Sequence, residues 1–147
     1  MIAIGKNWII LVVAVLLAVG LFSVAYYLPR LLGEPKLRLQ LIPPPPWKVK
    51  AGDTLKVDFG IPNDGTSTAR GVCFSLLVPE GFTGSIIGIN EREITFGTIY
   101  GGDGRASAFV IAVSSGVLPG NYTITVKLSG ENVPELVFTP VIEVQTS

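Results

Sequence analysis

Apolar residues follow two different patterns along this 147-residue chain. From Trp8 to Leu28 they form one run without a charged side chain. At about 1.5 Å per residue, this run predicts a helix of about 31 Å, close to the ~30 Å hydrocarbon thickness of a bilayer. After it, apolar and polar residues alternate in short segments separated by turn residues, which is typical of β-strands. The pattern therefore predicts an apolar helix followed by a β domain.

The helix is predicted to be a membrane anchor. Aromatic rings at both of its ends are suited to the two headgroup levels, and Pro29 is expected to end it. The residues predicted to form the anchor's lipid contacts are Trp8, Leu11, Leu16, Leu21, Tyr26 and Tyr27.

Three interpretations of this segment stay open. A retained signal anchor would tether the chain. A cleaved signal peptide would use the small residues Ser23-Val24-Ala25, although the apolar run is longer than the usual 7–15-residue core of such peptides. A filament core, as in pilin-like proteins, would usually have a basic-glycine processing site and an early glutamate. Here Gly5-Lys6 has the opposite order, and the first acidic residue is Glu34.

Orientation depends on charges that give opposing indications. Lys6 lies on one side of the helix, and Arg30, Lys36 and Arg38 lie on the other, so a positive-inside count places the β domain in the cytoplasm. However, the N-terminal flank is short, and long domains translocate largely regardless of charge. Asn121-Tyr122-Thr123 is an N-glycosylation sequon, which is used only outside the cytoplasm. We expect a single-pass protein of the cell membrane with an extracytoplasmic C-terminal domain.

The chain divides into three predicted segments, namely an anchor over residues 1–34, a first strand with a polyproline connector over 35–46, and a β domain over 47–147. The connector contains Pro43 to Pro46, which are expected to form extended polyproline II. Trp47 follows directly and is expected to cover one end of the core.

The β domain is predicted to be a mainly β, antiparallel immunoglobulin-like sandwich of seven or eight strands. Its cysteine content excludes the disulfide pattern of antibody domains. The continuous apolar run of Ala106–Val113 predicts a central strand covered on both faces, and Pro140 marks an edge or a bulge. The other predicted strands lie at Leu37–Leu41, Leu55–Ile61, Val72–Val78, Ile87–Ile89, Ile94–Phe96, Tyr122–Leu128 and Glu135–Val144.

Three segments resemble the CARDB and NEW3 modules of archaeal and bacterial surface proteins. They are Leu55–Phe59 continuing into Pro62–Val72, Phe96–Gly102, and Pro119–Val126. The resemblance implies an immunoglobulin-like fold, with the tyrosine after Pro-Gly, Tyr122, packed at a sheet corner. The layout of one N-terminal helix and one sandwich also resembles the archaeal flagellar stator proteins that meet the surface layer.

Composition excludes several functions. Lys and Arg total 11, as do Asp and Glu, so no basic field favours nucleic acid. The sequence has no histidine, which removes the usual general base and the commonest zinc ligand. Its single cysteine, Cys73, has no histidine to activate it and is expected to be structural.

Acidic residues offer only weak candidate sites. Glu91 and Glu93 are expected to be solvated in a hairpin rather than to act as a catalytic pair. The candidate calcium ligands are aspartates whose spacing does not form the ligand ladder of an EF-hand loop; they are Asp53, Asp58, Asp64 and Asp103. We expect no enzyme activity, no cofactor, no metal and no small-molecule substrate.

Function is instead expected at the surface, in the loops Asn63–Ala69 and Tyr100–Arg105. The candidate contact residues there are Asn63, Asp64, Tyr100, Asp103 and Arg105, with Asn121 as a possible glycosylation site. The predicted function is a non-catalytic, membrane-anchored interaction or scaffold module, and one form of it is an accessory subunit of a larger membrane or cell-surface complex. The alternative is a structural subunit of a surface filament or surface layer. Expected partners are membrane lipid and other surface proteins, or copies of the chain itself.

Overall fold

The structure is a computed structural model that describes the backbone of residues 6–146, with side chains described for 10–28 and 33–146. It divides into two compact units, Met1–Gly33 and Glu34–Ser147. The first contains a helix and the second contains only β structure, and each is described by itself below.

Helix α1 spans Lys6–Leu32. Its apolar side chains from Ile10 to Leu28 are exposed. The helix is long and apolar enough to cross a membrane, and it lies near the N-terminus, where an anchor or a signal sequence is found. The prediction that Pro29 ends the helix is wrong, because α1 continues to Leu32. Proline removes one backbone donor, and a helix can continue past it, usually with a kink.

The described β unit contains eleven strands, more than the seven or eight predicted. Their bounds are β1 Gln40–Ile42, β2 Trp47–Lys50, β3 Thr54–Pro62, β4 Ala69–Leu77, β5 Phe82–Ile86, β6 Glu93–Ile99, β7 Gly104–Val113, β8 Gly120–Thr123, β9 Thr125–Gly130, β10 Val133–Phe138 and β11 Val141–Gln145.

These strands form three sheets, with orders β1-β3-β7-β5, β10-β9-β4-β6 and β2-β11-β8. Every pairing is antiparallel except that of β2 with β11. The prediction of a mainly β, antiparallel sandwich is therefore confirmed. The parallel pair brings the segment after the polyproline connector beside the last strand of the domain.

Aromatic rings join the two four-stranded sheets in the core. Phe59 of β3 stacks on Phe74 of β4 with ring centroids 4.0 Å apart, and Phe109 of β7 lies 6.0 Å from both. All three are buried, and stacked or tilted aromatic pairs add to the stabilisation from apolar burial. Trp47 is also buried, with its ring 6.2 Å from that of Phe109, so this tryptophan packs within the core.

Two segments that were predicted as single strands each contribute to two sheets. The segment predicted at Tyr122–Leu128 is divided at Ile124 into β8 and β9, and the segment predicted at Glu135–Val144 is divided at Pro140 into β10 and β11. The residue pairing nevertheless keeps one register across the break, with Phe138 opposite Val126 and Val141 opposite Thr123. The two segments therefore form one long hairpin that passes from one sheet into another, and the Ile124 N–H donates to the Pro140 carbonyl at the crossing, 3.1 Å away.

The strand predicted at Ile87–Ile89 lies earlier, at β5, and these two isoleucines occupy a turn. Gly84 at the centre of β5 faces Leu76, where a Cβ would come within 2.8 Å of the Leu76 Cδ2 atom. A glycine at the inward position interrupts the apolar alternation, which explains why the pattern missed this strand.

Strand β7 is central in its sheet, as predicted, but it is not covered on both faces. Phe109, Ile111 and Val113 point into the core, whereas Ala106 is exposed and Val110 is half-buried. The outward positions tolerate this exposure because most of them are small.

The polyproline connector also differs from its prediction. The Ile42–Pro43 and Pro45–Pro46 bonds are cis, so the segment is not a continuous trans polyproline II helix. It forms a bend that is closed by the Trp47 indole, whose Nε1–H donates to the Pro43 carbonyl at 2.7 Å.

Candidate interaction site

The two loops predicted to contact a partner lie side by side at one end of the sandwich. The Asn63 N–H donates to the Asp103 carbonyl at 2.8 Å, and the Gly102 N–H donates to the Asn63 carbonyl at 2.9 Å. A third segment, 34–38, joins them, because the Asp64 N–H donates to the Lys36 carbonyl at 2.8 Å. We call this group, made of residues 34–38, 63–69 and 100–105, the loop cluster.

Asn63 is the central residue of the loop cluster. Its Oδ1 accepts from the N–H groups of Lys36 and Gly65, at 3.0 and 3.1 Å. Its Nδ2 donates to the carbonyls of Ser67 and Ile99, at 2.8 and 3.1 Å. The residue is 1% exposed, so both donors and both lone-pair directions are used inside the protein. Asn63 therefore holds the loops in place and is not itself available to a partner.

The backbones within the cluster approach each other closely at two glycines. A Cβ on Gly101 would lie 2.6 Å from the Thr66 carbonyl oxygen, and a Cβ on Gly65 would lie 2.6 Å from the Lys36 nitrogen. Both distances are too short for any side chain. The glycines of these loops thus permit the contact between the three segments.

An ion pair lies on the surface of the cluster. The Arg38 Nε–H donates to the Asp64 Oδ2 at 2.8 Å, and both side chains are about half exposed. This hydrogen bond lowers the pKa of Asp64 and raises that of Arg38. At an exposed position such a pair fixes geometry more than it adds stability.

Besides Asp64 of the ion pair, three other predicted contact residues are open to solvent. Tyr100 is 60% exposed, and Asp103 and Arg105 are also exposed. The Arg105 guanidinium donates to the carbonyls of Gly104 and Thr98, at 3.0 and 3.1 Å, so it is held in one place on the surface. The cluster thus presents an aromatic ring, a carboxylate and a positioned guanidinium, and aromatic and arginine side chains are enriched at protein interfaces.

An apolar groove of about 380 Å³ borders the cluster. Segment 34–37 lines one wall, and Val133, Pro134 and Leu136 of β10 line the other. Because β10 is an edge strand, the groove extends the surface that the loops offer.

Two of the candidate chemical residues, Cys73 and Asp58, interact with neighbouring side chains. Cys73 is half-buried on β4. Its burial and, to a smaller extent, its interaction with Glu93 raise the pKa of the thiol, which keeps the thiol protonated. Asp58 pairs with Lys56, with 3.2 Å between Oδ1 and Nζ. Over residues 6–146, no three His, Cys, Asp or Glu side chains are grouped so that they could hold a metal.

Helix α1 exposes most of the predicted anchor residues. The exposed members are Leu11, Leu16, Leu21, Tyr26 and Tyr27. The side chain of Trp8 lies outside the described residues. Tyr26 and Tyr27 form an edge-to-face pair with centroids 5.2 Å apart.

Tyr122 occupies the corner position that the resemblance implies. Its hydroxyl donates to the Leu118 carbonyl at 2.8 Å, and its ring centroid lies 5.0 Å from that of Phe82. A tyrosine that bonds back to the backbone a few residues upstream is a known feature of immunoglobulin-like sandwiches.

Sequence reasoning missed two features of the cluster. In the turn Asn63-Asp64-Gly65, the Gly65 N–H donates to the Asn63 Oδ1, as asparagine side chains in turns commonly accept from the backbone two residues ahead. The burial of Asn63 had no local signal, because its partners Lys36 and Ile99 are distant in sequence. Likewise, Arg38 was considered only as a charge beside the helix, whereas it pairs with Asp64.

Solved structures share this fold at low sequence identity. The CARDB domain of a Pyrococcus furiosus protein, described in complex with di-metal ions, matches with a TM-score of 0.53, 18% identity, and coverage of 76% of this chain and 90% of that chain. A conjugate transposon protein from Bacteroides vulgatus matches with a TM-score of 0.52, 10% identity, and coverage of 74% and 85%. AvmM, which catalyses macrocyclization in alchivemycin A biosynthesis, matches with a TM-score of 0.54, 9% identity, and coverage of 76% and 89%.

These likenesses show a CARDB-like β fold, which agrees with the resemblance found in the sequence. A similar domain also occurs inside a larger protein, because E. coli alpha-2-macroglobulin matches with a TM-score of 0.56, 15% identity, and coverage of 75% of this chain and 7% of that chain. The chain also spans 22% of the length of a family 123 glycoside hydrolase from Clostridium perfringens. No protein family matches the sequence as a whole or in part. No curated protein matches it either.

Proposed function

We propose that this chain is a non-catalytic, membrane-anchored interaction module, an accessory subunit that presents its loop cluster to another protein of the membrane or cell surface. The observation that carries the proposal is the exposed apolar surface of α1. Leu21 and Phe22 are 70% and 77% exposed, and the described span Ile10–Leu28 has no buried face. Such a surface is unfavourable in water and is stable in lipid.

The β unit supports the same proposal. It has a core of its own, and no buried side-chain nitrogen or oxygen of the described residues lacks a hydrogen bond. Its CARDB-like neighbour and the transposon protein are small β domains of similar extent. A fold of this kind fits a unit that displays a surface.

The groups available in the loop cluster fit protein recognition better than catalysis. Asn63 is committed to internal hydrogen bonds, Asp64 is paired with Arg38, and Tyr100 is the largest exposed side chain among the predicted contacts. Aromatic and arginine side chains contribute most to protein interfaces. We therefore assign partner binding to Tyr100 and Arg105.

Membrane fractionation of the full chain tests the anchor. We expect the intact chain to stay in the membrane pellet after an alkaline wash and to be released by detergent. Intact-mass measurement checks that the residues up to Ala25 are retained. The variant Leu16→Arg with Leu21→Arg is expected to lose membrane association, because a charge at the centre of a span costs about 2.5–3.5 kcal/mol. Recovery of the wild-type chain in the aqueous fraction, cleaved after Ala25, would contradict the proposal.

Leu118→Arg is the matched control for that experiment. Leu118 is 74% exposed in the β unit, so the same change there is expected to leave membrane association unaltered. Equal loss of membrane association in both variants would show that the arginines act through misfolding or general charge.

A pull-down from native membranes in mild detergent tests the interaction. We expect a discrete complex whose partner is retained by the wild-type chain and lost with Tyr100→Ala. Ile89→Ala, at another exposed apolar position outside the loop cluster, is the matched control and should retain the partner. A fibre of the chain alone would contradict the accessory-subunit proposal, and so would a partner that Tyr100→Ala retains.

A further inference from the structure

The sequence contains one Asn-X-Ser/Thr triplet, Asn121-Tyr122-Thr123, and the structure places it on β8. Side chains alternate between the two faces of a strand, so Asn121 and Thr123 share one face and Tyr122 occupies the other. The burial agrees, because Asn121 and Thr123 are exposed and Tyr122 is half-buried. The acceptor amide and the hydroxyl two residues later are therefore both open to solvent.

The surroundings of Asn121 leave its amide free. Residue Glu143 of β11 lies opposite it in the ladder, and Lys48 of β2 reaches that carboxylate with 3.7 Å between Nζ and Oε2. The outward face of this sheet is thus polar and solvated. Within the described part of the chain, neither the Asn121 nor the Thr123 side chain makes a hydrogen bond, so a modification of the Asn121 amide breaks no such bond.

We propose that Asn121 is N-glycosylated. The Asn121 amide nitrogen forms a bond to the anomeric carbon of a lipid-linked oligosaccharide, the donor. The bond between that carbon and the donor's phosphate oxygen breaks, the lipid phosphate leaves with the electron pair, and the amide gives up one proton. No oxidant or reductant is needed. The proposal rests on the proposed anchor with its β domain outside the cytoplasm, where such donors are used.

A glycan at this position has a structural consequence. Strand β8 is at the edge of the order β2-β11-β8, so one side of its backbone has no neighbouring strand within the sheet. Exposed edges pair with other chains unless something blocks them. A bulky, hydrated group on the solvent face at Asn121, three residues from the exposed Leu118, restricts access to this edge. The glycan thus keeps the edge from pairing with other copies.

Mass spectrometry of the full chain, purified in detergent from its native membranes, tests the proposal. We expect the peptide containing Asn121 to be heavier by a whole number of sugar residues. The modification should disappear in Asn121→Gln and in Thr123→Val, which keeps the shape of threonine and removes its hydroxyl. It should persist in Thr123→Ser, which restores the hydroxyl. Persistence in Thr123→Val, or loss in a Thr123→Ser chain that is still folded, would overturn the proposal.

Protease accessibility on intact cells, measured on the same samples, separates this proposal from the proposed function. An accessible β domain with an unmodified Asn121 overturns the glycosylation alone. A protected β domain with an unmodified Asn121 overturns the glycosylation and also the extracytoplasmic orientation. A modified Asn121 supports both.

Discussion

Replacing Asn63 with alanine should destabilise the β unit strongly. The substitution removes two accepted and two donated hydrogen bonds at a residue that is 1% exposed. Each buried backbone group left without a partner costs about 1–3 kcal/mol. Because neighbouring groups relax and water can enter the space of the lost amide, we expect a total of about 3–4 kcal/mol rather than the sum of four full penalties. That is a large part of the 5–15 kcal/mol by which most domains are stable.

Asn132 provides a matched control, because it makes the same kind of contacts at the surface. Its Oδ1 accepts from the Arg70 N–H and its Nδ2 donates to the Thr68 carbonyl, each at 2.8 Å. The side chain is exposed, so water replaces both bonds when it is truncated. We expect Asn132→Ala to cost less than about 1 kcal/mol.

Urea unfolding of the full chain in detergent measures both variants. The fluorescence of Trp47, buried in the folded unit, reports the transition, and a Trp8→Phe background removes the chain's other tryptophan. The expected result is a lower midpoint for Asn63→Ala with an unchanged slope. The reasoning that burial makes these hydrogen bonds stabilising would be refuted by either of two results. One is an equal loss of unfolding free energy in the two asparagine variants, and the other is a loss below about 1 kcal/mol in Asn63→Ala.

The same unfolding assay tests three further predictions. Tyr122→Phe keeps the ring but loses the 2.8 Å hydrogen bond to the Leu118 carbonyl, so it should lower the free energy of unfolding by about 0.5–1.5 kcal/mol. An unchanged free energy of unfolding would contradict the assignment of Tyr122 as a stabilising corner residue. Gly101→Ala forces the loops apart and should cost about 1–3 kcal/mol, whereas Gly116→Ala, which meets open space, should cost less; the reverse order would contradict the close approach. The hydrogen bond from Arg38 lowers the folded-state pKa of Asp64. The wild-type chain should therefore have a higher free energy of unfolding than Asp64→Asn at any pH above the usual carboxyl pKa of about 3.9. This difference should disappear as the pH falls through the lowered pKa of the folded state. An advantage that grows on acidification would be the wrong sign.

Local patterns predicted the parts of this fold that depend on local geometry. The alternation at Val72, Phe74 and Leu76 marked the inward face of β4, because side chains on a strand alternate with a period of two. The uncharged run ending at Leu28 likewise marked the helix. In both cases the periodicity of one segment is enough to determine which residues can face a core or a lipid phase.

Features that depend on distant contacts were not predictable in this way. Ile124 and Pro140 mark where the long hairpin leaves one sheet for another, and only the packing of the whole domain decides that point. Strand β5 was displaced because Gly84 faces Leu76 and leaves no apolar signal at its centre. Propensity and periodicity contain no information about such partners, so boundaries and sheet membership had to come from the structure.

The loop cluster illustrates why a turn motif is a weak guide to a binding surface. Asn63 and Asp64 are adjacent in one polar turn, yet the first is buried and the second lies on the surface. The difference arises from the segment 34–38, which covers Asn63 and leaves Asp64 paired with Arg38 outside. A partner that binds this end of the domain therefore meets Tyr100 and the charged side chains, while the geometry of those groups depends on a residue that the partner cannot touch. Under the proposed function, stability and recognition thus depend on different residues of the same loops, and substitutions there are expected to change one without the other.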